Sequence, residues 1–160
     1  MRPGAEGSAS VVDDGAFTVT RSILIAAPAA KVWRAITEPE HLTRWFGRTL
    51  LVDAGVGAQG TMWFEGHGAV PIRVEAIDEP HSVMYRWSND NALGTPPTGI
   101  DEATSTVFTF TLEAAGDGTR LTVVESGFER TSDPAANLES HREGWDLELD
   151  KLIALFEAGA

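Results

Sequence analysis

The chain contains no cysteine. Disulfides, thiolate nucleophiles and thiolate metal sites are therefore excluded. Such usage suits a reducing cytosol, so a cytoplasmic protein is expected. Basic residues are scarce: 12 Lys+Arg stand against 24 Asp+Glu, a formal net charge of −12. That balance argues against nucleic-acid and anionic-membrane partners, which need basic patches. It suits a solvated acidic surface. No apolar run approaches the roughly 20 residues that span a bilayer. The opening MRPGAEGSAS has no apolar stretch of signal-peptide length.

Catalytic signatures are missing as well. There is no GxSxG elbow. Asp90, Asp101 and Glu102 lack calcium-loop spacing. His41, His67, His81 and His141 lie far apart, with no His or Cys at metal-ligand spacing. Gly55 to Gly60 matches GxGxxG, but TMWFE follows it and reads as a strand. Without a helix N-terminus there is nothing to hold a pyrophosphate, so a Gly-rich hairpin is expected instead. No metal, cofactor or catalytic constellation is predicted.

What the sequence does have is one long amphipathic helix, from Asp133 to about Glu157. Asp133 is an N-cap acceptor, and Pro134 suits the first helical position. Leu138, His141, Trp145, Leu149, Leu152, Ile153 and Phe156 share one stripe. Charged residues, among them Glu139, Arg142, Glu143, Asp146 and Glu148, supply most of the opposite face. Arg142 and Asp146 can pair across one turn. Gly144 interrupts the helix at a cost of about 1 kcal/mol relative to alanine, which predicts close approach of a neighbouring element.

Upstream the pattern has period two. Residues 1–15 are small and polar and are predicted as a disordered tail, with residues 16–160 forming a single domain. Ala16 to Ala26 alternates as a first strand. Pro28 opens a short helix, and Thr37 with Glu40 forms a capping-box pattern for a second that Gly47 ends. Six further strands are predicted: Thr49–Asp53, Thr61–Glu65, Ala69–Ile77, Ser82–Trp87, Ser105–Glu113 and Thr119–Glu125. Short Gly- or Pro-bearing turns between most of them imply antiparallel neighbours. Ser88 to Thr104 is a long loop without apolar periodicity, of the kind that forms lids.

Six strand spacings of about 4.8 Å make a sheet roughly 29 Å wide. A single helix covers only about 10–12 Å of it. Bulky side chains, the short helices or a ligand must fill the remaining concave surface. A cavity is the expectation.

The element order resembles the helix-grip fold of the START/Bet v-type superfamily, also called SRPBCC. IAAPAAKVWRAITEPEHLTRWFG (Ile25–Gly47), Gly60, IDEPHSVMYRW (Ile77–Trp87), GDGTRLTVVESGF (Gly116–Phe128) and HREGW (His141–Trp145) resemble proteins related to the activator of heat-shock protein 90 ATPase. The resemblance runs from about Phe17 to Phe156. It implies an α+β helix-grip fold: a seven-stranded curved antiparallel sheet around the C-terminal helix, with two short helices after the first strand.

The expected function is binding of a small, mostly apolar molecule in the cavity. Trp45, Phe46, Trp63, Tyr85, Trp87, Phe108, His141, Trp145 and Leu149 are the candidate walls. Glu65, Arg73 and Glu125 are candidate polar contacts if they point inward, where burial would force them to pair; otherwise they face solvent. His141 is either a cavity-edge histidine held by water or backbone, or an acid–base or ligand group. Two alternatives follow from the resemblance. An enzyme acting in the cavity requires His141 within hydrogen-bond reach of Glu65 or Glu125. A co-chaperone module requires an exposed apolar patch on the outer face. A homodimer is compatible with either.

Overall fold

The computed structural model describes residues 9–159. The strands are β1 (Val11–Asp13), β2 (Thr18–Ile25), β3 (Arg48–Val52), β4 (Gln59–Phe64), β5 (Gly68–Asp78), β6 (Ser82–Trp87), β7 (Thr106–Ala115) and β8 (Gly118–Ser126). Helices α1 (Ala29–Thr37) and α2 (Pro39–Trp45) join β2 to β3, and α3 (Pro134–Glu157) closes the chain. One sheet of eight strands runs in the order β1-β2-β8-β7-β6-β5-β4-β3. Every pairing is antiparallel. This is the helix-grip fold, with one strand more than the seven expected.

The extra strand corrects the predicted tail. Residues 1–8 of that tail lie outside the described residues, but Val11–Asp13 pairs with Thr18–Thr20. Ser10 N–H also donates to Asp146 Oδ1 on α3, 2.8 Å away. Two details of the connector differ as well. Thr37 does not cap α2; its hydroxyl donates back to Trp33 O, and Glu38 is the N-cap residue. Pro39 holds Glu38 in extended backbone, which moves the helix start one residue on. Gly47 is needed for space rather than for a left-handed cap: a Cβ there would lie 2.6 Å from Met62 Cγ.

Asp133 caps α3 as expected, accepting from Ala136 N–H. Leu138, His141, Trp145, Leu149 and Leu152 are buried against the sheet. Arg21 faces inward among the apolar residues of β2 and is 6% exposed. Its guanidinium donates to the carbonyls of Trp145 and Asp146 and to Asp150 Oδ1. This polar pin fixes α3 across the trough. A bulge at Glu75, between Val74 and Ala76, increases the curl of the sheet beside β6.

The trough beneath α3 is largely filled by aromatic rings. Trp87 and Phe108 have centroids 4.6 Å apart, and Phe108 lies 5.1 Å from Trp145. Phe46 reaches in from the end of α2 to 5.4 Å from Trp145. Trp45 and Tyr85 complete the packing at the α1 side, where Trp45 Nε1–H donates to Ala35 O and Tyr85 O–H to Ile36 O. These bulky side chains span the width that the helix alone cannot cover.

Candidate functional site

What the aromatic packing leaves open is a recess of about 290 Å³ between α3, the end of β6 and the start of the following loop. Its apolar floor is made by Phe46, Phe64, Trp87 and Trp145. Its polar side is made by His67, Asn89, Asn91, Ser140, His141 and Glu148. Gly144 lies between the two. A Cβ added at Gly144 would meet nothing within 4 Å. The expected close approach of another element is therefore absent there, and Gly144 faces open space.

The expected wall residues divide into distinct groups. Phe46, Trp87, His141 and Trp145 line the recess. Trp45, Tyr85, Phe108 and Leu149 are packed core. Trp63 is on the outer face, where Arg48 stacks 4.6 Å over its ring. Met62 and Phe64 take the inward positions of β4 instead. Glu65 falls in the turn after β4 and is exposed. Arg73 faces outward and pairs with Glu75 and Glu102.

Glu125 points inward and is fully buried. Its position follows the inward parity of Leu121 and Val123 on β8. Trp87 Nε1–H and Thr106 Oγ1–H donate to Oε2 at 2.8 and 2.6 Å. Trp145 Nε1–H donates to Oε1 at 2.9 Å, and His141 Nδ1 lies 2.8 Å from the same oxygen. His141 Nε2 lies 2.8 Å from Asn89 O, an acceptor, so Nε2 carries a hydrogen.

Burial pushes the Glu125 carboxyl up, but the charge on His141 and the hydrogen bonds from His141, Thr106 and Trp87 outweigh it and hold the group ionised. Burial likewise disfavours charge on His141, and Glu125 together with Asn89 O outweighs that. The site is a buried imidazolium–carboxylate pair. His141 is bonded to backbone, at Asn89 O, and also to the Glu125 carboxylate.

The loop completes the wall. Asn89 Oδ1 accepts from His67 Nε2–H at 2.8 Å, and Ser140 Oγ–H donates to Asn91 Oδ1 at 2.9 Å. Asp90 accepts from Ser132 and from Asn137 Nδ2–H, so the loop is held to the start of α3. Those three interactions lower the Asp90 carboxyl against the opposing effect of its partial burial. Phe64, His67, Asn89, Asn91, Ser140 and Glu148 were not identified from the sequence. The period-four spacing of Ser140, Gly144 and Glu148 was the one signal that could have grouped three of the recess residues.

A second, larger groove of about 540 Å³ lies at the opposite end, between α1 and the β5–β6 turn. Of the expected site residues only Tyr85 reaches it.

Comparison with known proteins agrees with this architecture. Residues 26–157 match the family model of the Activator of Hsp90 ATPase homolog 1-like proteins. The chain belongs to that family. Among solved structures, protein MLL2253 from Mesorhizobium loti is 25% identical, with a TM-score of 0.71 over 89% of this chain and 98% of that one. DynU16, from the dynemicin biosynthetic locus, is also 25% identical, with a TM-score of 0.69 over 89% of this chain and 48% of its own. The Aha1 dimer from Colwellia psychrerythraea shares the fold at 22% identity and a TM-score of 0.64, over 84% and 92% of the two chains. No curated protein sequence matches the chain. Among the described residues, no helix is long and apolar enough to cross a membrane.

Proposed function

We propose that this protein binds a small molecule in the recess beneath Gly144. The apolar body would lie on the rings of Phe46, Phe64, Trp87 and Trp145, with its polar group toward Asn91, Ser140 and Glu148. At about 290 Å³ the recess is near the lower bound of ordinary ligand sites, roughly 300–1,000 Å³. The observation that carries the reading is Gly144 itself. Glycine in mid-helix costs about 1 kcal/mol, no steric contact requires it, and the position faces open space along the recess. Native mass spectrometry of protein purified from its own host tests the proposal. A bound small molecule is expected, and Gly144→Phe, which fills the space, should release it. Wild type that carries no small molecule and whose Trp87 and Trp145 indole N–H resonances respond to no ligand library defeats the reading.

The His141–Glu125 pair supports an enzymatic reading as the second choice, since the required hydrogen bond is present at 2.8 Å. It ranks second because both ring nitrogens are already engaged, so proton transfer to a ligand requires Asn89 to withdraw. Loss of turnover in His141→Gln, with ligand affinity retained, would favour it. For a protein partner, the support is Leu50, Val52 and Trp63, which are 69%, 76% and 38% exposed on the outer face. Either a second copy or a chaperone could cover them. Light scattering and a chaperone pull-down distinguish these, and a monomer that captures nothing removes both.

A further inference from the structure

We infer that the recess selects a cationic amine: a compact aromatic or apolar body carrying one ammonium group. This rests on the binding reading above and names the class of ligand. Four aromatic rings form the floor, and aromatic faces attract cations. The polar side adds Glu148, whose side chain is only 13% exposed although it lies on a helix. Its Oε1 atom is covered and makes no hydrogen bond of good geometry. Lys151 Nζ lies 2.8 Å from that oxygen, but Lys151 is itself 46% exposed. An ionised carboxylate has about four acceptor sites, and with Oε1 covered and beside Lys151 a second donor is taken up at Oε2. Burial pushes the Glu148 carboxyl up against the pull of Lys151, so a second cation would stabilise its ionised form.

The rest of the wall disfavours an anion. Among the described residues lining the recess there is no lysine or arginine. The imidazolium of His141 is matched by Glu125 at 2.8 Å, and its other N–H is taken by Asn89 O. It offers no free donor to a ligand carboxylate. Ser140 Oγ–H is committed to Asn91 Oδ1, which leaves the hydroxyl oxygen as an acceptor. The formal charge of −12 adds a long-range field that draws cations toward the molecule. Aromatic rings, a half-satisfied carboxylate and a hydroxyl acceptor together describe an ammonium site.

The test uses three probes of one skeleton: phenethylammonium, 2-phenylethanol and 3-phenylpropionate. Each is titrated into the wild-type chain at pH 7, following the Trp87 and Trp145 indole N–H resonances and the Gly144 amide resonance. The amine is expected to bind about tenfold more tightly than the alcohol, with the carboxylate weakest. In Glu148→Gln the amine-to-alcohol ratio should collapse toward one, and Glu148→Asp should restore part of it. If the alcohol or the carboxylate binds wild type as tightly as the amine, the inference is overturned while the binding reading stands. If no probe moves either signal, the inference falls. The binding reading falls with it only when the native mass spectrum is empty too. The wild-type series decides the matter even if the Gln variant does not fold.

Discussion

Two charge clusters hold the loop between β6 and β7, one near each end. At Asn89 the loop is fastened by His141, which is ion-paired to a fully buried Glu125. At Glu102 it is fastened by Arg73 and Arg86, which also share Glu75. The chemistry is alike, but the solvent is not. The first cluster is dry, so removing one partner leaves an uncompensated charge in a poor medium. In the second, Arg73, Arg86 and Glu75 are half-buried but Glu102 is open to water, so solvent and salt replace what Glu102 gives up. Their contact geometry alone would not separate them.

The sharpest way to break the comparison is Glu125→Ala. It strands the imidazolium and removes the acceptor of Trp87, Trp145 and Thr106. Urea denaturation should show a loss of about 3–5 kcal/mol; a loss near zero would mean that the pair is not the anchor described.

The same pair predicts a stability maximum in pH. Glu125 is held below its usual range, so its contribution is present above the unfolded value of about 4.3 and is lost as pH falls through its folded value. His141 is held above its usual range, so its contribution is complete below about 6.5 and is lost as pH rises through its folded value. Denaturation midpoints should therefore peak between these two limits and decline on both sides, and the peak should flatten in Glu125→Gln/His141→Gln.

Gly144→Ala should raise stability by about 1 kcal/mol, because the new methyl group meets no atom and helix propensity improves. A decrease would mean that the recess is narrower than described.

Glu102→Ala should give the smallest effect. Its midpoint should match wild type at 0.15 M salt and separate only at low ionic strength, where the Debye length grows.

The strands and long helix were legible because each repeats its hydrophobic period often enough to leave one solution. Strand β1 was not legible. Three residues, Val-Val-Asp, cannot establish a period, and their strand partners lie on β2, while Ser10 just before them is held by Asp146 on α3. The inward position of Glu125 could be read by counting in twos from Leu121. That of Trp63 could not, because Met62, Trp63 and Phe64 are all apolar and give no parity. The recess was least legible. Much of its polar side comes from His67, Asn89 and Asn91, turn and loop residues whose meeting depends on tertiary placement. The geometric argument predicted a hollow but not its location, since it could not tell which stretch of the trough the aromatic rings would fill.

The pin formed by Arg21 has a consequence for motion. Two carbonyls in the middle of α3 and the Asp150 carboxylate are gripped from across the sheet, so the rod can neither slide along its axis nor roll without breaking all three bonds. Breathing of the molecule is thereby channelled away from the helix and into the segment that faces it. Hydrogen exchange should register this as early labelling around residues 95–99, between the two anchors of the loop, and late labelling around residues 145–150. A guest would then meet a roof that stays still.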